Sequence, residues 1–177
     1  LYSSAASDVY KRQLNEETAR IIELEMTFPR DPNAFLQRAR QEQEKAKLYI
    51  NYLANAQNVM EEAYQFREDE LNARWQANYD LIYAQIIAYQ ARVYEYGAAL
   101  EAFIRNPKQV PQLLPPNRRL VRWDLRNRLD LSAEEISRPY INRASELFEK
   151  VIELHPGTPW AERAEEELKR GFGLEVV

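Results

Sequence analysis

The chain holds one histidine and no cysteine, which rules out thiol catalysis, disulfides and Cys-ligated zinc and leaves a single imidazole. His155 could act as a general base, but no Ser or Cys nucleophile motif accompanies it, and Pro156-Gly157 follow it directly, where a helix must stop. At such a place an imidazole is expected to bond the terminal carbonyls and, when charged, to oppose the helix dipole. Runs such as Glu68-Asp69-Glu70 and Glu165-Glu166-Glu167 read as solvated helix faces. Helix-borne di-metal sites need paired Glu-x-x-His motifs, which one histidine cannot supply. No Gly-rich phosphate loop, HExxH or GxSxG occurs. The expectation is a protein without catalytic residues, metal ligands or cofactor.

Arg118, Arg119, Arg122, Arg126 and Arg128 surround Trp123. Cations around an aromatic ring can hold single-stranded nucleic acid through phosphate pairing and base stacking. The chain as a whole carries a formal net charge of −4 at pH 7, which disfavours nucleic acid as a general partner. Pairing of these arginines with acidic helix faces, with Trp123 tucked into the core, is the preferred reading. The six residues remain the candidate interaction surface. Eleven tyrosines suit the rims of a narrow bundle, where a ring is covered and its hydroxyl stays wet.

The elements that would position these groups are helices. Gly is scarce and Ala, Glu, Gln, Arg and Leu dominate, the composition of long helices. No run approaches the roughly 18–20 apolar residues of a membrane span. Residues 14–28 can be read as a helix start at Asn15-Glu16-Glu17 or as a strand alternating Ile22, Leu24, Met26 and Phe28. Asp31-Pro32 opens a helix over about 32–69, with one apolar row from Leu36 to Tyr64. A second row, Tyr52, Ala56, Val59, Ala63 and Phe66, predicts contact with more than one neighbour. Trp75, Tyr79, Ile82, Ile86, Tyr89, Val93, Tyr96, Leu100 and Phe103 alternate spacings of four and three, and predict a second long helix capped by Asn72. Facing seams favour an antiparallel hairpin over one continuous rod. Gly97 within it predicts a close-packed neighbour, since Gly costs roughly 1 kcal/mol relative to Ala there. The same seams could pair with a second copy of the chain.

Asn106-Pro107 ends that helix, and the four prolines of 106–117 require an extended connector. Val121, Trp123 and Leu125 alternate with polar residues, as a strand-like segment laid on the helices would. Two shorter helices follow, at about 138–154 and from Thr158-Pro159 to Gly171. Ala144, Phe148 and Pro156 have the A-x3-F-x7-P spacing of half a tetratricopeptide (TPR) repeat, though no second copy is visible. The expected fold is all-α: a long antiparallel helical hairpin over 32–105, a Pro-rich connector over 106–137 and a TPR-like helical hairpin over 138–177.

Two stretches carry resemblances. Ser3 to Gln13, SSAASDVYKRQ, resembles the in-frame translation of a sequencing-library adapter. Residues 1–13 are accordingly expected to be a non-native scar, with 14–31 the end of a truncated upstream segment. Residues 73–103, with RWQANYD, and 144–173, with HPGTPWAxxAxxEL, resemble the C-terminal region of large bacterial proteins with a von Willebrand factor type A (vWA) domain. That resemblance implies an upstream vWA domain and a role in adhesion, scaffolding or assembly. The family's metal site needs an Asp-x-Ser-x-Ser loop, whereas Asp130-Leu131-Ser132 continues here as Ala133-Glu134, so no metal ligand is carried over. The functional expectation is a helical spacer and docking module beside that domain. A stand-alone TPR-like scaffold binding a peptide is the alternative, and nucleic-acid binding through residues 118–128 a third.

Overall fold

A computed structural model describes residues 24–108 and 122–177. The adapter-like stretch, Arg118, Arg119 and the prolines at 111, 115 and 116 lie outside the described residues. The fold is mainly helical, as composition requires, and adds a small sheet that the sequence reading did not include. Its elements are β1 (Thr27–Pro29), α1 (Pro32–Glu62), α2 (Tyr64–Asp69), α3 (Ala73–Arg105), β2 (Arg122–Arg128), α4 (Glu134–Leu154), α5 (Pro159–Arg170) and β3 (Gly173–Val176).

Local chemistry fixes most of the boundaries. Asp31 caps α1 by accepting from the Ala34 N–H at 2.8 Å, and Asn72 caps α3 by accepting from Arg74 N–H at 3.0 Å. Thr158 caps α5 by accepting from Ala161 N–H at 3.3 Å. The single helix expected over 32–69 divides at Ala63, whose backbone stays right-handed (φ −78°, ψ −5°), so α2 continues α1 after a kink. α1 and α3 run antiparallel: Gln43 donates to the Gly97 carbonyl, and Gln90 to Gln57 Oε1.

The sheet has the order β1-β2-β3, both pairs antiparallel. Phe28 lies opposite Trp123 and Leu125 opposite Val176. Of the segment left open between helix and strand, Asn15-Glu16-Glu17 and Ile22 lie outside the described residues, and its described end is a strand at residues 27–29, paired with β2. Period-two alternation along β2 turns Trp123 and Leu125 inward.

Two cores share α3. Val93, Tyr96, Leu100 and Phe103 meet Phe35 and Ala39 of α1 and the inner face of the sheet. Phe103 packs on Phe35 (ring centroids 4.5 Å) and on Trp123 (4.9 Å, edge-on). Farther toward the start of α3, Leu81, Ala84, Ile87, Ala88 and Ala91 meet Ile141, Ala144, Phe148 and Val151 of α4. The long seam is therefore only half as buried as its periodicity predicts: Trp75 is 56% exposed, and Tyr79, Ile82, Ile86 and Tyr89 are half-buried. The alanine row beside it is the buried one, because small side chains let α4 approach closely. The second row of α1 departs further, since Tyr52, Val59 and Phe66 are exposed. Among the described residues, nothing lies within 4 Å of where a Cβ at Gly97 would stand, so none of them is the close neighbour expected there.

α4 starts at Glu134, before the expected residue 138, and carries Pro139 within it. Its N-cap, Ala133, has no capping side chain. Glu95 of α3 takes that role from across the interface. Gly171 ends α5 with φ +76°, and a Cβ at Gly173 would lie 1.9 Å from the Asp130 carbonyl oxygen, so only glycine fits where β3 begins.

Candidate functional site

The described part of the arginine cluster does not form a stacking site. Trp123 is 6% exposed, held between Phe28 and Phe103, and no base could reach its face. Arg122 Nε donates to Asp124 Oδ1 at 2.9 Å, Arg126 Nη2 lies 3.9 Å from Asp124 Oδ2, and Arg128 Nη2 donates to Ser132 Oγ at 2.7 Å. For Arg122 and Arg126 the expected pairing with acidic helix faces is corrected: strand alternation puts 122, 124 and 126 on one outer face, so these two find Asp124 on their own strand first.

His155 is also re-placed. Only its backbone N–H bonds a helix carbonyl, that of Val151. Its imidazole is buried, with Nε2 3.0 Å from Asp80 Oδ2. The same carboxylate accepts from Arg67 Nε at 2.9 Å and Nη2 at 2.6 Å, so Asp80 joins the ends of α2 and α4 to the start of α3. Beside this hub opens a cleft of about 660 Å³, walled by Tyr64, Tyr79 and Tyr83 on one side and Arg143, Leu147 and Lys150 on the other. Tyr79 donates to the Met60 carbonyl and Tyr83 to Glu61 Oε1 at 2.9 Å, so the rings line the cleft while the hydroxyls are engaged in its walls. Burial, with Tyr83 and Asp80 nearby, pushes the Tyr79 hydroxyl up to about 12, which keeps it neutral.

Three buried acids complete the framework. Glu95 accepts from Ser132 N–H at 2.6 Å, Ala133 N–H at 3.0 Å and Ser137 Oγ at 2.6 Å. Glu167 lies 2.6 Å from Arg92 Nη1 and 2.7 Å from Arg163 Nη2. Burial alone would raise its pKa, but those two guanidinium groups hold it below the usual carboxylate range. Glu42 accepts from Glu25 N–H at 3.0 Å and pairs with Lys45 at 2.6 Å. Sequence reasoning singled out neither Glu95 nor Glu42, and its reading of Glu165-Glu166-Glu167 as a solvated face is corrected at Glu167, which is 1% exposed because it turns toward Arg92 of α3. A signal was present: Arg92 and Glu95 are the only charged residues between Asp80 and Glu101. Charges inside so apolar a run are buried with partners or not at all.

Among the described residues, a row of exposed apolar side chains runs along α1 and α2. Leu48 is 52% exposed, Tyr52 48%, Val59 63% and Phe66 69%. At 3.6 residues per turn these four lie within an arc of about 40°, continued across the kink. Ala56 and Ala63 border them, half-buried. No family model, curated protein or solved structure matches the chain.

Proposed function

We propose that this chain is a non-catalytic helical spacer and docking module working through protein–protein contact, and that in the whole protein it stands C-terminal to a vWA domain. The observation that carries the docking reading is the exposed row Leu48, Tyr52, Val59 and Phe66. Both cores close without it, so its apolar character serves no packing within the described chain, and contiguous exposed apolar surface marks interaction sites. The spacer reading rests on α3, 33 residues long and roughly 50 Å end to end. It is held by sheet and α1 at one end and by α4 at the other, the frame of a long antiparallel hairpin followed by a TPR-like one. Sequencing the reading frame upstream of residue 14 tests the placement. A vWA domain with its Asp-x-Ser-x-Ser loop supports it, and a series of further helical repeats refutes it.

The alternative, a TPR-like scaffold binding a peptide, is favoured by the tyrosine-walled cleft against α4. Its aromatic faces with Arg143 and Lys150 opposite suit a peptide that joins an apolar side chain to a carboxylate. Nucleic-acid binding loses its main support with Trp123 buried.

A further inference from the structure

We infer that the tyrosine-walled cleft is the seat of an acidic amphipathic helix from a protein partner. The inference rests on the peptide-binding reading above and names the charge and the form of the peptide.

The charges lining the cleft point to an acidic partner. Its acids are Glu61, Asp80 and Glu153, and its cations Arg67, Arg143 and Lys150. Asp80 is held by Arg67 and His155, and Glu61 accepts from Gln57 at 2.8 Å and from Tyr83 at 2.9 Å. Arg143, by contrast, meets only the exposed Glu146, at 3.7 Å. Lys150 has no ion pair among the described residues, and the same is true of Glu153. Glu153 stands about 60° round α4 from Lys150, at the edge of the cleft. Two cations left open against one acid make the cleft attractive to carboxylates.

The spacing along α4 is that of a helix–helix contact. Arg143, Leu147, Lys150 and Leu154 step by four, three and four, so they share an arc of about 60° and extend over about 16 Å. Basic and apolar side chains each recur after one heptad. Tyr64 is 47% exposed and Leu154 57%, although both wall a concavity, so apolar surface is open on both sides of the groove. An amphipathic helix laid along α4 has the same period. It can set an apolar residue against each leucine and an acid against each cation.

Backbone chemistry separates this helix from an extended peptide. Every residue lining the cleft lies on a helix, so no open strand edge is there to pair. The Tyr79 and Tyr83 hydroxyls are engaged with Met60 and Glu61. An extended segment would bury amides and carbonyls without partners, whereas a helix bonds its own.

The full chain tests this against fluorescein-labelled peptides of about 14 residues, two heptads, read by anisotropy. All have capped ends and an alanine framework. The first carries Leu and Glu at heptad spacing, the second Lys in place of Glu, and the third is the acidic peptide with a central Pro. The acidic peptide is expected to bind with a Kd on the order of 10–100 μM, that of a small interface. The Lys peptide should bind about tenfold more weakly, and the Pro peptide should lose binding with its helix. Lys150→Glu should weaken the acidic peptide about tenfold and favour the Lys peptide. Its helical spectrum should match the parent, since Lys150 is exposed. Lys47→Glu, an exposed change beside the apolar row of α1, should leave the affinity as it was. A Pro peptide or a Lys peptide that binds as tightly as the acidic one overturns the inference but leaves a peptide-binding cleft. Weakening by Lys47→Glu equal to that by Lys150→Glu puts the peptide on α1 and overturns it as well. If none of the three binds below about 1 mM, the inference and the peptide-binding reading fail together.

Discussion

Glu95 shows what a single buried carboxylate does in this protein. It stands in α3, fully buried, and supplies to α4 the cap that Ala133 lacks. Glu95→Ala would strip the acceptor from two backbone N–H groups and the Ser137 hydroxyl at once. Each orphaned donor costs about 1–3 kcal/mol, so urea denaturation is expected to show a loss of about 3 kcal/mol or more, with Glu95→Gln milder because one acceptor oxygen survives. The acids at Glu25 and Glu167 add a pH dependence. A hydrogen bond from Arg38 holds Glu25 low. Glu167, which burial would raise, is drawn below its ordinary value by Arg92 and Arg163. Both pKa values are lower folded than unfolded, so their stabilisation is whole above the unfolded value near pH 4.3 and drains as pH falls through the folded ones. The urea midpoint is expected to drop between about pH 4.5 and 3. A midpoint unchanged down to pH 3 contradicts that account.

At the scale of elements, caps and stops were readable because they depend on a few adjacent residues. Asp31, Asn72 and Thr158 each accept from a first-turn N–H, as their side chains dictate. Glycines divide by tertiary context. Among the described residues nothing crowds Gly97, so Gly97→Ala is expected to raise stability by about 1 kcal/mol through helix propensity alone. Gly173→Ala must drive a methyl group into the Asp130 carbonyl and is expected to lower the melting temperature sharply by tearing β3 from the end of α5. Equal melting of the two variants would show that neither environment is as described. The start of α4 was misplaced for the same reason that Glu95 was overlooked: its cap comes from 38 residues away.

For the molecule as a whole, sharing α3 between two cores implies that they fail together. Trp123 belongs to the first core and Trp160 packs against the second. Each can be isolated as a reporter by changing the other two tryptophans to Phe. Their fluorescence transitions in urea are expected to coincide with loss of helix, as in a two-state domain. Separate midpoints would mean that α3 does not couple the cores.

What the sequence determined by itself was the local level: helical class, the long apolar rods, their capped ends and the inward turn of Trp123, all set by periodicity and neighbours in the chain. Which of two apolar rows on one helix becomes buried was left to tertiary structure. On α3 the alanine row wins beside α4, where close approach excludes water, while Trp75 stays at the surface. On α1 the second row is left uncovered by the described residues. Tertiary structure also decided that β1, β2 and β3 form one sheet, that Asp80 gathers Arg67 and His155, and that Glu95, Glu42 and Glu167 are buried. These are contacts between residues far apart in sequence, and their free energy depends on desolvation and partner geometry that no spacing within a helix records.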